Sequence, residues 1–100
     1  MDKQKVIDKL VTEFDYSSKG ASLVWRQLEN LSPLLQNDFA RWWDKKIIPN
    51  IEVNGYNFRM LMAEHSMNPI AAFLTLDWLI REPEKAKESL KKGHDKVLGN

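Results

Sequence analysis

Residues 68–80 read Asn68-Pro69-Ile70-Ala71-Ala72-Phe73-Leu74-Thr75-Leu76-Asp77-Trp78-Leu79-Ile80, and this stretch decides the fold. Asn68 has the side chain of a helix N-cap, and Pro69 at the first helical position gives up a backbone N–H that would lack a helical partner there. At about 100° per residue, Ala72, Phe73, Leu76, Leu79 and Ile80 fill one half of the helical wheel, while Leu74 and Trp78 fall outside it. Only a strip around Asp77 and Arg81 is polar. Leaving Leu74 or Trp78 in water would forfeit roughly 1.5–3 kcal/mol per large side chain. The pattern therefore predicts a helix wrapped by the rest of the domain or by a second chain.

The sequence before this helix repeats the helical signal. Val6, Ile7, Leu10, Val11 and Phe14 alternate with Lys3, Lys5, Asp8, Lys9 and Glu13 at the period of an amphipathic helix. Asp15 to Gly20 has turn composition and leads to a second helix with Val24, Trp25, Leu28 and Leu31 expected on its inner face. Ser32-Pro33 is a cap followed by a first-turn proline, which predicts a third helix from Pro33 to about Lys46 that buries Leu35, Phe39 and Trp42. Trp43 falls at the edge of that stripe, because neighbours in a helix point about 100° apart.

Pro49-Asn50 breaks the helical pattern, and Ile51-Glu52-Val53 alternates before Asn54-Gly55, a pair that tolerates the positive φ of a type I′ hairpin turn. The flanks are short, so a minimal β-hairpin and an ordered turn are both compatible with the residues. Phe58, Leu61, Met62 and His65 predict a fourth helix, and Ser66-Met67 a tight turn into the apolar helix. Glu82-Pro83 then separates a last helix of about Glu84 to Lys92, supported by Glu84 facing Lys87 and Glu88 facing Lys91 and Lys92. Gly93 is the expected C-terminal cap and residues 94–100 the expected frayed tail. The fold class is thus all-α: one single domain over residues 1–93, a bundle of five or six short helices.

With 100 residues, 43% hydrophobic and 29% charged, the chain has ordinary globular composition and can bury one core. A formal net charge of +1 gives no global attraction to nucleic acid or anionic lipid. The absence of cysteine excludes disulfides, thiolate metal sites and a cysteine nucleophile. The charge-alternating start lacks the apolar core of a signal peptide, and the longest apolar run is too short to span a bilayer. A soluble, cytoplasmic protein without a membrane segment is expected.

Catalytic signatures are sparse. His65 follows Glu64 at the end of the fourth helix's apolar stripe, where a core-edge histidine donating to a backbone carbonyl is favoured over a general base. No His-Glu-x-x-His or other metal set accompanies it, Ser22, Ser32 and Ser66 occupy cap and turn positions, and four scattered glycines form no phosphate cradle. No enzymatic activity, cofactor or metal is expected. Phe58 to Ile80 has the outline of a helix-turn-helix, but Ile70, Ala71, Ala72 and Phe73 offer no side chain that could read base edges.

The expectation is a non-catalytic interaction or regulatory module that forms a homodimer or other homo-oligomer, or binds another protein, through the third and fifth helices. Its candidate residues are Trp43, Leu74, Asp77 and Trp78, since ten aromatic residues in a chain this short suggest ring surface left for an interface. Asp77 has two readings: an i,i+4 pair with Arg81, which the spacing favours, or an anchor for a basic partner group. The alternative function is a small nucleic-acid-binding regulator using Arg41, Trp43, Lys45 and Lys46, with Arg59 nearby.

Overall fold

Helix starts in this protein are mostly made by short polar side chains, Asn68 as expected among them, whereas Ser32, read as the cap of the third helix, makes no side-chain cap bond. Asp2 accepts hydrogen bonds from the backbone N–H groups of Gln4 and Lys5 and opens α1 (Lys3–Phe14), and Ser17 accepts from Gly20 to open α2 (Ser18–Leu28). Pro33 begins α3 (Pro33–Lys45). The computed structural model describes residues 2–99, with side chains as far as Lys92. It divides into two units, Met1–Leu31 and Ser32–Asn100. Among the described residues the fold is all-α, with six helices and one two-stranded antiparallel hairpin.

In the first unit, α1 packs on α2. Val6 and Leu10 of α1 and Ala21 and Leu28 of α2 are buried. Val24 and Trp25, expected to face inward, are only half-buried, and the small Ala21 occupies the inner position instead. α2 stops at Leu28, so Leu31 lies beyond the helix but is buried all the same.

The second unit holds α3, the strands β1 (Glu52–Val53) and β2 (Tyr56–Asn57), α4 (Phe58–Glu64), α5 (Pro69–Arg81) and α6 (Pro83–Gly99). α5 lies at its centre. Asn68 caps it by accepting from Ala71 N–H at 2.8 Å, and Ile70, Ala72, Phe73, Leu76 and Leu79 are buried. Ile70 joins this core although the wheel had been filled without it, whereas Ile80 is half-buried. The rings of Phe39, Trp42, Phe58 and Phe73 form one cluster: Phe73 lies 5.1 Å from Phe39, 5.7 Å from Trp42 and 5.0 Å from Phe58, centroid to centroid. These distances are those of favourable aromatic pairs.

The hairpin forms, pairing Glu52 with Asn57 and Val53 with Tyr56. Asn54 and Gly55 take φ of 51° and 88°, the two positive values a type I′ turn requires. What makes so short a ribbon viable is tertiary: the Asn54 side-chain amide donates to the carbonyl of Leu79 at 2.9 Å. That carbonyl belongs to the last turn of α5, where helical acceptors have no intrahelical donor.

The helix ends are less conventional. Asp15, Lys46 and Ser66 all adopt left-handed backbone conformations, with φ of 63°, 57° and 54°, at the ends of α1, α3 and α4. After α4, Met67 N–H reaches back to Leu61 O at 3.3 Å, six residues earlier and one residue further than the closing bond of a Schellman turn. In α6 the backbone continues through Gly93 to Gly99, so the helix does not stop where a glycine cap was expected; one glycine weakens a helix by about 1 kcal/mol relative to alanine without having to end it. The side chains of the expected frayed tail, 94–100, lie outside the described residues. Glu84 pairs with Lys87 at 3.5 Å and Glu88 with Lys92 at 2.9 Å.

Candidate interaction surface

Of the residues singled out on α5, Asp77 has the most definite role. Its Oδ1 accepts both the backbone N–H of Ser32, at 2.8 Å, and the Ser32 hydroxyl, at 2.6 Å, while Oδ2 accepts from Arg81 Nε at 2.9 Å. The expected Arg81 pair is therefore present. The contact to Ser32 is additional and more consequential, because Ser32 is buried and its hydroxyl makes no cap bond to its own helix. Asp77 thus latches the start of α3 to the middle of α5.

Trp78, one residue on, is half-buried, and its indole N–H donates to Glu82 Oε1 at 3.3 Å. Glu82 also takes Lys85 Nζ on its other oxygen at 3.1 Å, so one carboxylate spans the corner between α5 and α6. The Lys85 hydrogen bond, then the Lys85 charge and then the Trp78 hydrogen bond hold the Glu82 carboxyl below its usual value of 4.5. Lys92 does the same for Glu88, again by its hydrogen bond first and its charge second. Leu74 shares the stripe with Asp77 and Trp78 and is half-buried.

Trp43 on α3 is also half-buried, with its ring 5.8 Å from Phe39 and 6.1 Å from Trp42. The outer face of the same helix is open. Leu34, Asp38, Arg41 and Lys45 recur at i, i+4, i+7 and i+11 and so share one side. Leu34 is 65% exposed, and Ile47, just past the helix, is 37% exposed. Asp38, Arg41 and Ile47 line a cleft of about 330 Å³ closed by the segment Ile48 to Ile51. Asp38 and Arg41 form no ion pair with each other.

No protein-family model, curated protein sequence or solved structure matches the chain.

The basic segment is divided by the fold. Arg41 and Lys45 are exposed on the outer face, whereas Lys46 Nζ lies 4.6 Å from the Trp42 ring centroid, a cation–π distance. Arg59 is exposed on the first turn of α4. His65 follows α4, half-buried, with its ring 6.0 Å from Tyr56. Ile70, Ala72 and Phe73, at the start of α5, are in the core. Among the described residues no group of three His, Cys, Asp or Glu could hold a metal, and no helix is long and apolar enough to cross a membrane.

Leu34 and Ile47 were not singled out from the sequence. A signal for Leu34 was there: it is an apolar residue on the otherwise polar Asp38–Arg41–Lys45 side, about 100° from the inner stripe begun by Leu35.

Proposed function

We propose that the protein is a non-catalytic interaction module, cytoplasmic in setting, that pairs with a second copy of itself through the outer face of α3. The observation that carries this reading is the exposure of Leu34 on a helix whose other side is already filled by Leu35, Phe39 and Trp42. Burying a leucine of this kind returns roughly 1.5–3 kcal/mol per side chain. The charges favour a like partner. Asp38 and Arg41 sit one turn apart with opposite sign, and in a two-fold dimer each can meet the other's counterpart, since an isologous interface must be self-complementary. Trp43, Leu74 and Trp78 are each half-buried and offer less exposure than Leu34, and Asp77, engaged on both oxygens, contributes by holding α3 in place.

Light scattering after size exclusion, over a range of protein concentration and salt, tests this. The expected outcome is a mass rising toward the dimer with concentration, with Leu34→Glu and Arg41→Asp each remaining monomeric. Exchanging the two charges, Asp38→Arg with Arg41→Asp, restores pairing. A wild-type protein that stays monomeric throughout overturns the reading. Exposed Arg41 and Lys45 favour nucleic acid as the second reading, which instead expects oligonucleotide binding that falls steeply with salt and weakens in Arg41→Ala or Lys45→Ala.

A further inference from the structure

We propose that a groove formed by the hairpin turn, α4 and α6, separate from the α3 face, is a binding site for a small aromatic carboxylate. Its volume is about 440 Å³, within the span of roughly 300–1,000 Å³ usual for small-molecule sites. Three kinds of side chain meet there. Met60 and Leu90 supply an apolar floor, Leu90 being buried and Met60 half-buried. Tyr56 and His65 supply two rings, with centroids 6.0 Å apart and planes inclined at 57°. Lys87 and Lys91 supply the charge.

The lysines define the sign of the ligand. They stand one turn apart on α6, an arrangement in which like charges repel. Glu64 is the one acidic residue among those lining the groove, so the lining carries a net positive charge before His65 is counted. Glu84 meets Lys87 at 3.5 Å, from a position where its own side chain is 88% exposed. Lys87 itself differs from its neighbours: its side chain is 41% exposed, against 76% for Lys85 and 74% for Lys92. Lys87 therefore lies along the wall with its stem covered, the posture of a lysine that places its ammonium at the edge of apolar surface.

The apolar floor and the rings define the rest of the ligand. A bare inorganic anion would use the ammonium groups and leave Met60, Leu90 and the ring pair without a contact. A flat ring bearing a carboxylate uses all three: π contacts with Tyr56 and His65, thioether and methyl contacts below, and ammonium groups at the lip.

The test is a titration of the full chain, followed by amide proton–nitrogen correlation spectra, with sodium benzoate as the probe. Sodium acetate supplies the charge without the ring, and benzyl alcohol the ring without the charge. Saturable benzoate shifts are expected at the amides of residues 55–65 and 87–91, with weaker binding of both controls. Lys87→Gln and Lys91→Gln, at exposed or half-exposed positions that leave the fold intact, should each weaken benzoate by about two- to fivefold. Met60→Ala should weaken benzoate and leave acetate unchanged. Shifts that do not saturate, or that persist undiminished in the double lysine variant, overturn the proposal. Equal affinity for acetate and benzoate also overturns it, reducing the groove to a plain cationic patch.

Discussion

The two sides of α3 present opposite solutions to the placing of apolar residues. On the inner side, Phe39 and Trp42 join Phe58 and Phe73 in one ring cluster, and the large rings are used up within the unit. On the outer side the exposed apolar group is an aliphatic one, Leu34, set among Asp38, Arg41 and Lys45. An abundance of aromatic residues is therefore a poor guide to which apolar groups stay exposed on this helix. Rings bury large areas and pack on one another, and on α3 the apolar side chain left most exposed is Leu34, which the helix cannot turn inward.

The comparison can be broken most forcefully from within. Phe73→Ala removes the ring that contacts three others and should cost about 3–5 kcal/mol, enough to unfold much of the population at ambient temperature, read by chemical denaturation. Asp77→Ala leaves the Ser32 hydroxyl and N–H without their acceptor and should cost about 1–3 kcal/mol. That exceeds the few tenths expected from an i,i+4 pair with Arg81 alone, and Arg81→Ala, by the same measurement, should show only that smaller loss. Ser66→Gly acts on neither side of α3 and serves as a control. Relieving a left-handed serine should raise stability by about 0.5–1 kcal/mol in thermal melts. Leu34→Glu should change monomer stability by no more than about 0.5 kcal/mol while abolishing self-association, which separates the outer face from the inner one.

Acidification gives the smallest effect. Glu82 and Glu88 both have folded carboxyl values below 4.5, so the folded state favours their charged form. Their contribution is complete above 4.5 and is lost as pH falls through the lowered values. Helical circular dichroism should therefore weaken slightly on acidification below 4.5, and Glu82→Gln with Glu88→Gln should remove that part of the change.

Much of the helical framework was legible because its signals are local. Ser32-Pro33, Asn68-Pro69 and Asn54-Gly55 each name a backbone conformation within two residues, and the inner stripe of α3 follows from periodicity alone. The helix ends were harder to read. Asp15, Lys46 and Ser66 close helices in a conformation usually given to glycine, while Gly93 lies within one, so the residue types misdirect at those points. The Asp77–Ser32 bond joins residues 45 positions apart, and no pattern in either segment names the other. The groove of Tyr56, His65 and Lys87 was equally hidden, since its three sides come from three elements. His65 was visible as a residue, but not the ring it faces.

Asn54 gives the smallest element of the fold a share in the life of the largest apolar one. Its amide reaches the Leu79 carbonyl across 25 residues of chain, so the hairpin gains this anchor only after α5 has formed and docked. In refolding, the turn should then mature late, and in the native state its amides should exchange with solvent together with the last turn of α5 as one opening unit. Asn54→Gly would keep the turn geometry and cut that tie, allowing the ribbon to open without the helix.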